Sequence, residues 1–542
     1  MIAAFRTFAN LATIFAAALA LAACGSGERE TDRAAAEGII LIGNGGEPQT
    51  LDPHLATGNP EAHILNEMFE GLTVANPDDP ATPAPGVAES WEHDGSFTSW
   101  TFHLRDNATW TNGDPVVAGD FLYAWQRVLS PELGAQDSSA FYFIRNAEPF
   151  NLGQISDFSQ VGVRAPDDRT LVVDLIRPVP TFPFLTSAPI MSPLSQRAVE
   201  AHGTMTDRQN PWATLENFVT NGPFMMKAWT VNQMIELEKN PDYWDAANVR
   251  LNGARFFPVD NVGTEENLFQ DGRLHVTGTI PPDKIPGYRD RQAPELVSDP
   301  MLAPYFYYVN VERPPLDNVL VRRALSLAID RQMLVDRVVQ GGQLPAGGYM
   351  PPGYPDYQAA PPIAVHVEEA RRLLAEAGYP GGEGFPRFEI LINTSEAHRK
   401  IAEALQEMWR TNLGIDVGIY NQEWRVYLDA LLGSDFALAR ASLVMTDPDI
   451  YSPLEAFTTD GSRNMGKWKN PRFNQLMDQA EGETDIPRRN ALLQQAEQVM
   501  IEDLPIIPIY WGRQNYLLDP QVRGWVPNIY SRHPLKHVYF EN

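Results

Sequence analysis

The period at which hydrophobic and polar positions recur changes several times along this chain, and the changes mark its elements. Residues Thr98–Arg105 alternate, with Trp100, Phe102 and Leu104 on one face, which predicts a half-buried strand. Val231–Glu238 alternates in the same way, and Ile39–Ile42 and Thr170–Leu175 are short apolar runs of strand type. Helical spacing takes over at Ala62–Glu70, closed by Gly71. It returns at Gly119–Leu129, which starts near Asp120 and repeats Phe121, Trp125 and Val128 on one side. Thr111-Asn112-Gly113-Asp114 predicts a turn, and Pro178, Pro180 and Pro183 break the chain after a strand. Further on, Arg387–Asn393 predicts a strand, Ala397–Asn412 a helix stopped by Gly414, and Ile415–Tyr420 a second strand. Strand, helix and strand in so short a span make a βαβ unit, with parallel pairing and a right-handed crossover. Arg322–Val338 and Val367–Ala377 predict amphipathic helices, the second ended by Gly378 and Pro380. The pattern is that of mixed α/β lobes, in which ligands lie at strand ends and in crevices between lobes.

Composition narrows this picture. The chain has 542 residues, enough for three or four packed units at roughly 100–200 residues each. With 44% hydrophobic residues, 45 Pro and 39 Gly it is globular and loop-rich, neither coiled coil nor disordered. Lys and Arg number 42 against 69 Asp and Glu, a net charge of −27. That balance argues against field-driven binding to nucleic acid or to an anionic bilayer, since both need a basic surface. A single cysteine excludes a disulfide framework and a Cys-rich zinc site.

That cysteine belongs to an address segment. Residues 1–23 carry one charge, Arg6, and then an apolar stretch from Leu11 to Ala23, the n-region and h-region of a secretory signal. The stretch ends in Leu21-Ala22-Ala23-Cys24 and resembles a bacterial lipobox, in which peptidase cleavage leaves a lipidated N-terminal Cys24. The alternative is an ordinary Ala-x-Ala cleavage beside an incidental cysteine. With a lipid on Cys24, the acyl chains hold the protein to a membrane at about 0.8 kcal/mol per buried CH2. Residues 25–37, rich in charge, Gly and Ala, then read as a flexible tether.

Catalytic and metal motifs are missing. The chain contains neither a His-Glu-x-x-His zinc motif nor a Gly-x-Ser-x-Gly nucleophile elbow. His533 and His537 are four apart, but Pro534 separates them and no third ligand is near, so no metal is expected. Gly461–Lys467 has P-loop spacing, yet Trp468 stands where a magnesium-binding Ser or Thr is required. Nothing demands catalysis or a cofactor. What stands out is aromatic: 18 Tyr, 12 Trp and 25 Phe, several in turn-like contexts such as Trp110, Trp244, Trp424 and Tyr354. Such a load suits an amphipathic binding cleft, because Tyr and Trp combine contact area with a polar tip.

A series of collinear motifs identifies a family. Glu47-Pro48-Gln49-Thr50-Leu51-Asp52-Pro53-His54 comes first, then Phe69-Glu70-Gly71-Leu72 and Pro85-Gly86-Val87-Ala88-Glu89-Ser90-Trp91. The stretch from Trp100 to Leu129 follows, then Thr220-Asn221-Gly222-Pro223-Phe224 and Lys239-Asn240-Pro241-Asp242-Tyr243-Trp244. Val321-Arg322-Arg323-Ala324-Leu325, Asn393-Thr394-Ser395, Asn421-Gln422-Glu423-Trp424 and Ala439-Arg440-Ala441 complete the order. Together they resemble the oligopeptide-binding branch of the family 5 extracytoplasmic solute-binding proteins, which feed ABC importers. The resemblance implies a two-lobed periplasmic-binding-protein fold of α/β class, with an extra inserted domain and a hinge-closing cleft. Domain I would comprise roughly residues 39–69, 180–277 and 505–542, domain II the insertion 70–179, and domain III residues 278–504. It also implies a non-enzymatic monomer on the periplasmic side of the envelope, with short peptides as ligands and a permease and ATPase as partners.

In such proteins the peptide lies extended along strand edges of both lobes. By position, the resemblance gives main-chain contacts to Thr57-Gly58-Asn59 on one lobe and Ser442-Leu443-Val444 on the other. Tyr123, His398, Trp424 and Arg440 match cleft positions; Arg440 would hold a carboxylate, either a partner's or the peptide's own. The sequence departs from the family where an aspartate should meet the peptide α-ammonium. Ungapped counting puts Thr446 there, a one-residue slip Asp447, and anchoring on the following Asp-Pro puts Val444 there. A buried ammonium needs a counter-charge, which favours Asp447, with Asp449 next. Leu431 and Ser326 stand where basic residues are expected around longer peptides' C-termini, leaving peptide length and charge preference open.

Overall fold

The computed structural model describes residues 29–79 and 81–541. Along the chain, strand β1 (Ile39–Gly43) precedes an antiparallel group, β2 (Ala88–His93), β3 (Ser99–Leu104), β4 (Val163–Asp167) and β5 (Thr170–Asp174). Then come β6 (Phe224–Thr230), β7 (Met234–Lys239) and β8 (Gly253–Phe257). The last group is β9 (Leu296–Val309), β10 (Phe388–Asn393), β11 (Val417–Gln422), β12 (Leu438–Ser442) and β13 (Ile506–Leu517). Three sheets of four or more strands result among the described residues. The first runs β1-β8-β7-β6, with β1 and β8 parallel from Ile39↔Gly253 to Gly43↔Phe257. The second, β2-β3-β5-β4, is antiparallel and sits on the segment between β1 and β6. The third has six strands: the two-residue strand Leu344–Pro345, then β13-β9-β12-β10-β11.

The helices that matter for the site are α1 (Glu30–Ala36), α2 (Asn59–Met68), α3 (Ala118–Leu129), α4 (Glu396–Leu413), α5 (Trp424–Leu432) and α6 (Ile486–Asp503). Gly414 ends α4 in the left-handed conformation, φ 72°, which spares a Cβ clash and returns the chain to β11. β10 and β11 pair in parallel from Phe388↔Val417 to Asn393↔Gln422, as the βαβ pattern requires. In β3, Trp100, Phe102 and Leu104 are the buried residues, so the alternating face is the core face.

Two lobes follow from where apolar side chains cluster. One core joins Ile40 and Phe256 of the first sheet to Phe102, Trp125 and Val173 of the insertion, so the inserted sheet shares its core with the first lobe. Two neighbouring clusters, around Tyr307, Ile390 and Trp409 and around Phe306, Tyr349 and Leu476, fill the other lobe. The chain passes between lobes at β9 and β13, which pair antiparallel from Leu296↔Leu517 to Tyr308↔Ile506. Single bridges from Val276 to Ile42 and to Leu518 fasten that pair to the first sheet.

In the segment 505–542, β13 is an inner strand of the six-stranded sheet, while Tyr516 near its far end packs in the first lobe's core. Two sequence expectations need correction. Residues 25–37 are not wholly a tether. α1 docks through buried Thr31 and Ala34, Thr31 N donates to Gly272 O at 2.9 Å, and the His275 ring lies 3.0 Å from Thr31 O. Arg322–Val338 is not one helix. It divides at Ala328–Asp330, where the Asp330 carboxylate accepts from Met333 N and starts a new turn. Residues 1–28, with Arg6 and Cys24, lie outside the described residues.

Candidate functional site

On the second lobe, β12 offers an open edge. It pairs with β9 along its length, from Tyr305↔Ser442 to Val309↔Leu438, but meets β10 only at Leu438 and Ala439. Beyond Ala439 the side away from β9 has no strand partner among the described residues. Leu443 N and Met445 N still reach the carbonyls of Pro304 and Leu302 at 3.4 and 2.8 Å. By alternation, the main-chain groups of Ser442 and Val444 therefore face the open side.

Arg440 stands at the head of this edge. Its guanidinium lies 5.0 Å over the Tyr305 ring, and Nη1 donates to Asn393 Oδ1 at 3.2 Å. Nε is buried without a partner, and among the described residues no carboxylate lies within salt-bridge distance. Tyr305 in turn stacks on Tyr510 at 4.7 Å, and its hydroxyl is 3.2 Å from His398 Nδ1. Burial, and then the Arg440 charge, push His398 down to about 4, so its ring is neutral at pH 7. Trp424 is 52% exposed and stacks on Tyr427, whose hydroxyl donates to Arg440 O. Val444, 64% exposed, projects from the same edge.

At the other end the two candidate aspartates separate. Asp449 is consumed by the fold: Arg489 of α6 donates to both its oxygens at 2.7 and 2.8 Å, and both side chains are 3% exposed. Asp449 also caps Tyr451 N at 3.0 Å. Among the described residues Asp447 has no cation within salt-bridge distance, though the Arg177 charge acts on it from further off. Its Oδ1 accepts from Asp449 N at 2.9 Å and from Thr181 Oγ1, on the first lobe, at 3.1 Å. Burial, and then the Asp449 charge, raise Asp447 to about 7. The arrangement is an open strand edge with an uncompensated cation near one end and an uncompensated carboxyl near the other.

Residues 82–465 match the model of the bacterial extracellular solute-binding proteins, family 5. The chain belongs to this family. Among curated relatives, the periplasmic oligopeptide-binding protein OppA of Salmonella typhimurium is 36% identical over 512 residues, covering 93% of this chain and 92% of its own. The unliganded open form of the periplasmic murein tripeptide-binding protein MppA superposes with a TM-score of 0.84 at 31% identity, covering 93% of this chain and 97% of its own. Haemophilus influenzae OppA in complex with RPPGFSPFR gives 0.70 at 33% identity, covering 93% and 99%. A higher score against an open form, at similar identity, is the pattern that an open arrangement of the lobes produces.

Within this family 5 protein, His398, Arg440, Ser442, Leu443 and Val444 come together, and Trp424 joins them through Tyr427. Asp447 follows on the same run, facing Thr181. Thr57 and Gly58 lead into α2, of which Asn59 is the first residue; Thr57 and Asn59 are exposed on the first lobe. Tyr123 is not in this group. It is buried on α3 in the first lobe's core, with an unpartnered hydroxyl and Glu200, Arg127 and Asp52 as its charged neighbours. Its helical spacing with apolar residues puts it on the packed face. Ser326 is also remote, since its hydroxyl accepts from the buried Arg331 at 2.9 Å. Leu431 packs at the margin of the second lobe's core. Sequence reasoning missed Tyr305, Tyr510, Asn393 and Thr181. Tyr305 is a buried and Tyr510 a half-buried strand residue, and their pattern signals only a core. Among the described residues no cluster of three metal-ligating side chains is present, and no helix is long and apolar enough to cross a membrane.

Proposed function

We propose that this protein is a receptor that captures short peptides in extended form between its lobes and hands them to an ABC importer. The observation that carries the reading is the open β12 edge between uncompensated Arg440 and uncompensated Asp447. A peptide whose main chain adds to that edge would run antiparallel to β12, its ammonium on Asp447 and its carboxylate toward Arg440 and neutral His398. Main-chain bonds then supply affinity without selecting sequence, and Trp424 and Val444 supply apolar surface. Thr57-Gly58-Asn59 serves as the facing contact on the first lobe. Catalysis plays no part. Membrane attachment through a lipid on Cys24 would place the receptor beside its permease.

Native mass spectrometry of the mature protein with its copurified ligand tests this. A spread of short peptide masses is expected; a single non-peptide species would refute it. Copurification with a permease tests delivery, and the mass of the mature N-terminal fragment tests the lipid. A narrower reading, a murein-derived peptide, has the murein tripeptide-binding protein MppA, 31% identical over 93% of this chain, in its support. Muropeptide masses alone in the same spectrum would select it.

A further inference from the structure

A cavity of about 130 Å³ lies apart from the β12 edge, at the root of the two strands that cross between lobes. Thr277 and Gly278 border it beside Gln514 and Tyr516, and α2 and the segment Ser531–Lys536 close it. None of the residues that make up the peptide edge lines it.

Most charged groups around the cavity are already satisfied. Glu70 accepts from the Tyr243 hydroxyl and from Trp244 Nε1. Lys536 lies 3.3 Å from Asp245 and donates to Tyr243. His63 is held at Asn44, and His533 stacks on Trp525 with Nδ1 3.0 Å from Val526 O; burial lowers both rings, so they are neutral. Two groups of opposite sign are left over. Glu67, 4% exposed, accepts only from Leu535 N at 3.1 Å and has no cation within salt-bridge distance among the described residues. Arg532 donates to Ser187 Oγ at 2.9 Å, lies 5.2 Å over the Phe184 ring and has no carboxylate within that distance. Ile42, Phe69, Phe256 and Val276 give the wall an apolar part, beside the polar Thr73, Thr277 and Gln514.

A buried carboxyl and a half-buried guanidinium, neither within salt-bridge distance of an opposite charge among the described residues, border one cavity and suit a ligand that brings both partners. We infer that this chamber is a second binding site, for a zwitterion of amino-acid size with an apolar side chain, its ammonium on Glu67 and its carboxylate on Arg532. The site is independent of the peptide edge. Burial raises Glu67 to about 8, so it is mostly protonated in the empty chamber at pH 7, and an arriving ammonium releases that proton.

The test is calorimetric titration of free leucine into ligand-stripped and peptide-saturated protein, in two buffers of different ionisation enthalpy. Leucine is expected to bind in both states and to release a proton near pH 7. Isoamylamine and isocaproate, each with one of the two charges, are expected to bind at least about tenfold more weakly. Glu67→Gln and Arg532→Gln should each weaken leucine by about 30-fold or more, their unchanged peptide affinity certifying the fold. Arg440→Ala and Asp447→Asn should leave leucine unaffected. No leucine binding at millimolar concentration overturns the inference, as does loss of leucine binding in Asp447→Asn, or equal binding of the one-charge analogues. Failure of peptides to bind while leucine does would instead refute the peptide reading and leave this site standing.

Discussion

If Asp447 anchors a peptide ammonium, affinity depends on pH in a range that an ordinary aspartate, with its pKa near 4, never reaches. In the empty site burial and the nearby Asp449 hold Asp447 near 7, so it is ionised at about pH 8 and protonated below neutrality. A bound ammonium pairs with the carboxylate and keeps it ionised, so protons compete with ligand as pH falls through 7. Two units below that value about one site in a hundred is ionised, and affinity falls by about 100-fold, or roughly 2.7 kcal/mol. Other groups at the edge are silent there. His398, near 4, stays neutral down to about pH 5. The assay is calorimetry of one short peptide, free or N-acetylated, between about pH 8 and pH 5. The free peptide should weaken steeply, the acetylated one little, and Asp447→Asn should bind the free peptide weakly with a flat profile. Equal affinity of the free peptide at both ends, or the same slope for the acetylated one, would refute the anchor.

Three further outcomes follow from the same geometry. Arg440→Ala should erase the preference for a free over an amidated peptide C-terminus, a loss of about 1.5–3 kcal/mol seen by calorimetry as a lower affinity for the free acid. Asp449→Asn should instead weaken the fold of the second lobe by about 3–5 kcal/mol, because it strands the buried Arg489; thermal unfolding reads this, and a change within about 1 kcal/mol would contradict the ion pair. Glu497, buried while accepting from Met350 N and Tyr357, is raised to about 7 from 4.5. A carboxyl with a raised folded pKa gives stability that is full below the unfolded pKa and lost as pH rises through the folded one. Stability should therefore fall between about pH 4.5 and 7 by up to roughly 3 kcal/mol, and Glu497→Gln should lessen the fall in urea titrations.

What the sequence disclosed was local. The β10-α4-β11 unit was readable because alternation, helical spacing and a glycine stop all occur within one short segment, and Ser99–Leu104 because each core residue announces its face. Long-range pairing has no such signature: β13 enters the second lobe because β9, some two hundred residues earlier, is its partner. α1 was hidden because Thr31 and Ala34 are too few and too small to give a period. The site shows the same limit. Arg440 and His398 stand out in the sequence through their motif context, while Tyr305 and Tyr510, which shape the surface beside them, read as core. Tyr123 belongs to an equally strong motif and is buried on α3 with an unpartnered hydroxyl.

The choice between Asp447 and Asp449 shows what decides function here. Two positions apart in one run, the aspartates have equal claims by charge. The difference is a counter-charge supplied from α6, forty positions away, which neutralises Asp449 and leaves Asp447 bare. Asp52 meets the same fate as Asp449: Arg127 binds it through two nitrogens and Trp212 adds a third donor, so it serves the fold. A buried charge satisfied within the chain is a structural element. One left unsatisfied costs stability, and in a cleft that cost is recovered when a ligand brings the missing charge. Asp447 already touches Thr181 of the opposite lobe, so an ammonium arriving there would also be placed at the junction of the lobes. Under the proposed reading, charge compensation by the ligand would link recognition on the second lobe to contact with the first, an outcome that a fully self-paired cleft could not produce.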